Sequence, residues 1–72
     1  FVEVRTRSRG WMMPPECTVG PDKLKKLKRA GRIWTERRNY TGFWRIDLIA
    51  VTLDEDKLSS IEHIKEITEG IE

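Results

Sequence analysis

Glu3 and Arg5 are the residues of this chain best placed to do chemistry. They sit in Phe1-Val2-Glu3-Val4-Arg5-Thr6-Arg7, where apolar residues alternate with polar ones. That pattern predicts a strand over residues 1–7, and alternation along it puts Glu3, Arg5 and Arg7 on one face. A carboxylate two residues from a cation is the pairing that metal-dependent phosphodiester hydrolysis uses. The carboxylate holds Mg2+, and the cation positions the attacking water and neutralises phosphate charge. The usual form is Glu-x-Lys; here it is Glu-x-Arg. The same tripeptide also arises in any strand with a solvated face, so both readings stand.

The second feature is cationic. Lys23, Lys25, Lys26, Lys28, Arg29, Arg32, Arg37 and Arg38 fall within residues 23–38, where Glu36 is the one acid. On a helix they form a broad positive surface able to follow phosphates. The competing reading is the solvated face of a stable helix, which usually mixes both signs. Charge is segregated along the whole chain. Residues 1–46 hold 12 Lys/Arg and 4 Asp/Glu, whereas residues 47–72 hold 2 and 8. An anion-binding face with an acidic opposite edge follows from this asymmetry.

Other chemistry-bearing residues are sparse. Asp47 lies in an apolar stretch and needs a partner if buried; Arg45, on the same face, is the expected one, and metal ligation is the alternative. His63 is the lone histidine and reads as structural or solvated rather than as a ligand. Trp11, Met12 and Met13 sit in a loop, where they pack onto the domain or, alternatively, stack on a base or wedge into a groove. No Gly-rich phosphate loop, Cys-x-x-Cys pair or Ser/His/Asp set is present.

The elements that must position these residues follow from composition and period. Seventy-two residues, 38% apolar and 36% charged, make one small domain. No apolar run approaches the ~20 residues of a membrane span. One cysteine, Cys17, forms no internal disulfide, which points to a reducing, cytoplasmic compartment. Ser8 to Gly20 reads as a loop. Pro21-Asp22 opens a helix ending near Asn39, with Leu24, Leu27, Ala30, Gly31 and Trp34 as its buried stripe. Gly31 costs about 1 kcal/mol against Ala there, which close helix–sheet approach would explain. Residues 39–42 form a turn and 43–51 a central strand. After a charged turn at 53–57, residues 58–67 read as a hairpin strand ahead of a short helix. The tail, 68–72, is expected to fray. The order β–loop–α–β–β is the α/β signature.

Taken together, the chain resembles the YraN-like family of predicted nucleases, which are distantly similar to archaeal Holliday-junction resolvases. The stretches that carry the resemblance are Phe1-Val2-Glu3-Val4-Arg5-Thr6-Arg7-Ser8, Val19-x-Pro21-x-Lys23-x-x-x-Leu27-x-x-Ala30, Trp44-Arg45-Ile46-Asp47-Leu48-Ile49-Ala50-Val51 and Ile61-Glu62-His63-Ile64. Their order and spacing fit across nearly the whole chain but cover only the later part of the family's domain. The resemblance implies a restriction-endonuclease-like core, a mixed sheet flanked by helices, with residues 1–72 as its C-terminal part. It implies that Glu3 is a metal-ligand carboxylate, that Arg5 takes the place of the catalytic lysine and that Lys23 opens the following helix.

The resulting expectations are specific. Glu3 and Arg5 are the catalytic candidates and Glu3 the Mg2+ ligand. Arg7, Lys23, Lys26 and Arg29 contact nucleic acid. The full-length protein is expected to be a Mg2+-dependent DNA phosphodiesterase acting on branched or flapped DNA, with this piece inactive alone. The alternative is a non-catalytic nucleic-acid-binding module with a degenerate site, which Arg at the lysine position favours. A third reading is a protein-interaction domain whose basic and acidic halves pair. No membrane association is expected. A first strand without a partner on one side leaves a sheet edge, which predicts a homo-oligomer joined there, C2 in symmetry.

Overall fold

The computed structural model describes residues 1–10 and 15–71. Trp11, Met12 and Met13 lie outside that range. The described residues form strand β1 (Val2–Ser8), a 3-10 turn (Pro15–Thr18), helix α1 (Pro21–Arg37), strand β2 (Asp47–Asp54) and strand β3 (Lys57–Ile64). The sheet order is β1-β2-β3. β1 and β2 run parallel, with Val2 opposite Asp47, and β2 and β3 are antiparallel. The α/β class and the β–α–β–β order expected from the sequence are therefore present, as a mixed three-stranded sheet with one basic helix.

Local chemistry explains most boundaries. Pro21 occupies the start of α1 and Asp22 its first turn, where a missing N–H costs nothing and a negative charge meets the helix dipole. Asn39 ends the helical region with φ +51, a left-handed conformation that Asn tolerates. The β2–β3 loop is two residues, Glu55 and Asp56, with φ +50 and +63. Positive φ at both positions matches the strand twist of a tight hairpin.

Three sequence expectations are corrected. The ladder of β2 begins at Asp47, so Phe43 to Ile46 approach it as an extended connector and not as strand. The helix stripe is only half-buried at Leu24 and Leu27, Ala30 and Trp34 are exposed, and the buried positions are Gly31 and Thr35. The tail does not fray through residue 71. The Ile67 N–H donates to the Ile46 carbonyl at 2.9 Å, Thr68 is buried, and Lys28 Nζ donates to the Ile71 carbonyl. These bonds tie the tail to the entry of β2 and to α1.

Among the described residues the buried apolar side chains are Val19, Ile46, Leu48 and Ala50. By register, Leu48 and Ala50 share a sheet face with Glu3 and Arg5, and α1 and the 3-10 turn lie over that face. On the opposite face Val2, Val4, Leu58 and Ile61 are 59–63% exposed.

Gly31 has a clear reason, though a different one from close helix–sheet approach. The Trp44 ring of the connector lies against it. A Cβ at position 31 would come within 2.5 Å of Trp44 Cζ3. Phe1 also packs against that ring, with centroids 5.6 Å apart in an edge contact. Helix propensity alone says that Gly31→Ala stabilises by about 1 kcal/mol. Overpacking against a ring already packed on Phe1 costs about 1–3 kcal/mol. We expect Gly31→Ala to lower stability in urea unfolding; a raised midpoint would show that Trp44 moves aside freely.

Candidate functional site

Alternation along β1 places Glu3, Arg5 and Arg7 on the face turned toward α1, where each is half-buried. This differs from the solvated row expected from sequence: here the charged face of β1 is the covered one and Val2 and Val4 are open. Each charge on that row has a partner. Lys23 Nζ, in the first turn of α1, lies 4.0 Å from Glu3 Oε1. The Arg5 guanidinium donates to the Thr18 carbonyl at 2.8 Å. Arg7 Nε donates to Thr52 Oγ1 at 3.2 Å, and its guanidinium is 4.0 Å from Glu62. A cleft of about 540 Å³ runs beside Arg5 and Arg7, with Thr18 and Ala50 also in its lining.

The fold thus brings Glu3, Arg5 and Lys23 onto one side of the sheet. Lys26 and Arg29 stand apart from them. They line a shallow, exposed hollow on α1 together with Asp22 and Lys25.

As a metal site the cluster is incomplete. Mg2+ asks for a near-octahedral set of oxygen ligands. Glu3 supplies one carboxylate, and the group nearest to it is a cation. Among the described residues no three His, Cys, Asp or Glu side chains converge. The residues present do not fit a resident Mg2+ by themselves.

A second cluster sits where β2 begins. Asp47 is 6% exposed and accepts from three elements. Arg45 Nε lies 3.0 Å from Oδ1, the Glu66 backbone N–H donates to Oδ1 at 3.1 Å, and His63 Nε2 lies 2.7 Å from Oδ2. An ionised carboxylate only accepts, so Nε2 carries the proton in this pair. Arg45 was the expected partner. His63 was not, because its place beside Asp47 depends on the β2–β3 register, which sets it opposite Ile49. Alternation over Ile61 and His63 is the signal that points to it once the hairpin is assumed.

These bonds pull the Asp47 carboxyl down to about 2, His63 contributing most, then Glu66 and Arg45, against the opposing effect of burial. A depressed folded-state value means that Asp47 adds stability above the ordinary unfolded value of 3.8, and that the contribution is lost as pH falls toward about 2. Asp47→Asn is therefore expected to be less stable than the parent at neutral pH, with the gap closing across that acid window. Urea midpoints at several pH values measure the gap; a constant gap would assign the loss to packing.

Residues 1–51 match the family described as uncharacterised protein family UPF0102. A UPF0102 protein of Pelobacter propionicus is 37% identical over 65 residues, which is 89% of this chain and 46% of that protein. One from Pseudarthrobacter chlorophenolicus is 38% identical over 70 residues, 96% of this chain and 53% of that protein. One from Corynebacterium glutamicum is 39% identical over 54 residues, 75% of this chain and 43% of that protein. The chain spans about half the length of the curated relatives it matches. No solved structure matches it. Among the described residues no helix is long and apolar enough to cross a membrane. On the family match and these relatives, the chain belongs to the uncharacterised protein family UPF0102.

Proposed function

We propose that this chain is the nucleic-acid-binding part of a nuclease-like protein, and that the whole protein is a Mg2+-dependent phosphodiesterase acting on branched or flapped DNA. One observation carries the reading: Glu3 and Arg5 share a strand face to which the basic helix delivers Lys23, 4.0 Å from Glu3. Carboxylate, guanidinium and ammonium side by side are the groups that phosphate chemistry recruits. The exposed cations of α1 extend that positive surface along neighbouring phosphates. Glu3 is proposed as one metal ligand of the whole protein, with Arg5 and Lys23 beside the scissile phosphate and Lys26, Arg29 and Arg7 toward flanking ones.

A second reading has its own observation. The Arg5 guanidinium is engaged by the Thr18 carbonyl, and guanidinium does not exchange protons near neutral pH. That favours a binding module that keeps the fold with a degenerate site.

The two readings separate by experiment. Cleavage of branched DNA by the full-length protein should require Mg2+ and be abolished by Glu3→Gln; absent or metal-independent cleavage would sink the nuclease reading. Arg5→Lys should raise activity sharply in a degenerate enzyme and change nothing in a binding module. Binding is tested on its own. Neutralising Lys23, Lys26 and Arg29 together should weaken DNA affinity and flatten the salt slope by roughly one unit per lost phosphate contact. An unaltered slope would make α1 a solvated face.

Assembly belongs to the same proposal. Among the described residues β1 is an edge strand, and Val2 and Val4 are exposed along its outer side. We propose pairing with a second copy along β1. Light scattering over a range of concentrations should give a dimer, and Val4→Lys, placed to charge that edge, should return it to a monomer. A monomer at high concentration would show that the edge is left unpaired.

A further inference from the structure

We propose that the aromatic cleft at the C-terminal end of α1 receives an unpaired base of single-stranded nucleic acid. The inference rests on the nucleic-acid reading above and names the form of nucleic acid that this surface takes. The cleft, of about 580 Å³, is lined by Phe1, Trp34, Tyr40, Phe43, Trp44 and Arg45, with Thr35 at its floor. Four of those aromatic residues are widely open: Phe1 46%, Trp34 43%, Tyr40 47% and Phe43 72%. A single exposed aromatic residue is ordinary, but four around one hollow are not.

The cleft is built and not merely bare. Phe1 stands edge-on to Trp34, with centroids 5.4 Å apart, and edge-on to Trp44. Trp44 is seated in the gap that Gly31 leaves. The Tyr40 hydroxyl donates to the Phe43 carbonyl at 2.7 Å, which closes the turn that presents Phe43. Gly42 permits that closure, since a Cβ there would meet the Tyr40 hydroxyl at 2.5 Å. Rigid aromatic faces lose little freedom on binding, which is what a stacking platform requires.

Charge selects the occupant. Among the described residues no Asp or Glu lines the cleft. Arg38 already lies over Trp34, with its guanidinium carbon 4.3 Å from the ring centroid, and Arg45 borders the opening. Flat rings with guanidinium planes suit a base attached to a phosphate, and the cations suit a purely apolar peptide poorly. Position agrees. Lys26, Arg29, Arg32 and Arg37 lead along α1 toward the cleft, and the helix carries them about 16 Å from first to last. A strand held by its phosphates on those residues would deliver a base at the aromatic end. A base inside a duplex is stacked on both sides and cannot enter, so the cleft discriminates between strand forms without reading sequence.

Phe43 is the residue to change. It is the most exposed of the set, and Phe1 and Trp44 keep the cleft folded without it. Full-chain protein with Phe43→Ala is titrated into fluorescein-labelled oligothymidylate and into a labelled duplex of equal length, following anisotropy at several salt concentrations. Single-strand affinity should fall by about 5- to 100-fold, the range of one lost stacking contact. Duplex affinity and both salt slopes should stay as in the parent, and Phe43→Trp should restore single-strand binding. Equal losses on both forms, or no loss on the single strand, would overturn the base cleft and leave phosphate binding by α1 intact. Absence of binding by the parent to either form would overturn the nucleic-acid reading itself and the cleft with it. A fall in sedimenting mass on Phe43→Ala would mark the patch as a self-association surface and also overturn the proposal.

Discussion

The Asp47 carboxylate is the constraint on which the rest of the sheet depends. It sits at the first residue of the central strand and accepts from Arg45 before it, from His63 at the far end of β3 and from the Glu66 backbone beyond. A buried carboxylate left with fewer partners would be costly. Satisfying it fixes three things at once: where the connector from α1 becomes strand, how β3 is registered on β2, and where the tail turns back. Two backbone bonds finish the same corner, Asp47 N–H to the Phe1 carbonyl and Ile67 N–H to the Ile46 carbonyl. Among the described residues only Ile46 and Leu48 are fully buried, so the polar bonds at this corner carry much of the register.

Because β2 is fixed at that corner, β1 has little choice of orientation. Its register on β2 puts Glu3, Arg5 and Arg7 alongside Leu48, Ala50 and Thr52, beneath α1. A strand that turns its charges toward the helix and its valines outward inverts the usual preference. The inversion is tolerable because each charge meets a partner on that side: Lys23, the Thr18 carbonyl, and Thr52 with Glu62. The same arrangement keeps α1 from packing tightly on the sheet. The helix is anchored instead by Lys23 to Glu3 in the first turn, by Gly31 against Trp44 of the connector and by Trp34 against Phe1.

What was legible in the sequence follows from the range of the interactions involved. The alternation of residues 1–7 defines β1 to within a residue, and Pro21-Asp22 marks the helix start, since both are local patterns. Arg45 and Asp47, two apart on one face, pair as expected. Phe43 to Ile46 carry strand-forming residues yet join no ladder, because Asp47 needs its partners at the strand's first position. The Asp47–His63 pair was beyond local reading, since it spans a hairpin whose register rests on two positive-φ residues, neither of them Gly. The tail looked polar enough to fray. Its anchoring comes from backbone bonds and one buried threonine, which leave no hydrophobic periodicity to read. At the site, the grouping of Glu3 with Arg5 was visible from alternation, whereas the approach of Lys23 required the crossover to bring the helix start over β1.

The helix then has different chemistry at its two ends. At the N-terminal end the dipole is positive, and Lys23 adds to it beside a carboxylate, which concentrates field where a phosphate would sit. At the C-terminal end the dipole is negative. Arg37 and Arg38 offset it, and Arg38 spends part of its charge on the face of Trp34. The charged first turn at Lys23 gives way to flat, weakly hydrated surfaces near Trp34, about 16 Å along the axis. Phosphates and bases differ in the same two respects, charge and flatness. On the proposed nucleic-acid reading, a helix with this gradient would orient a strand by its chemistry, holding backbone at one end and accepting a ring at the other. Base-edge hydrogen bonding would not be needed for that orientation, because each proposed contact depends only on groups that every nucleotide carries.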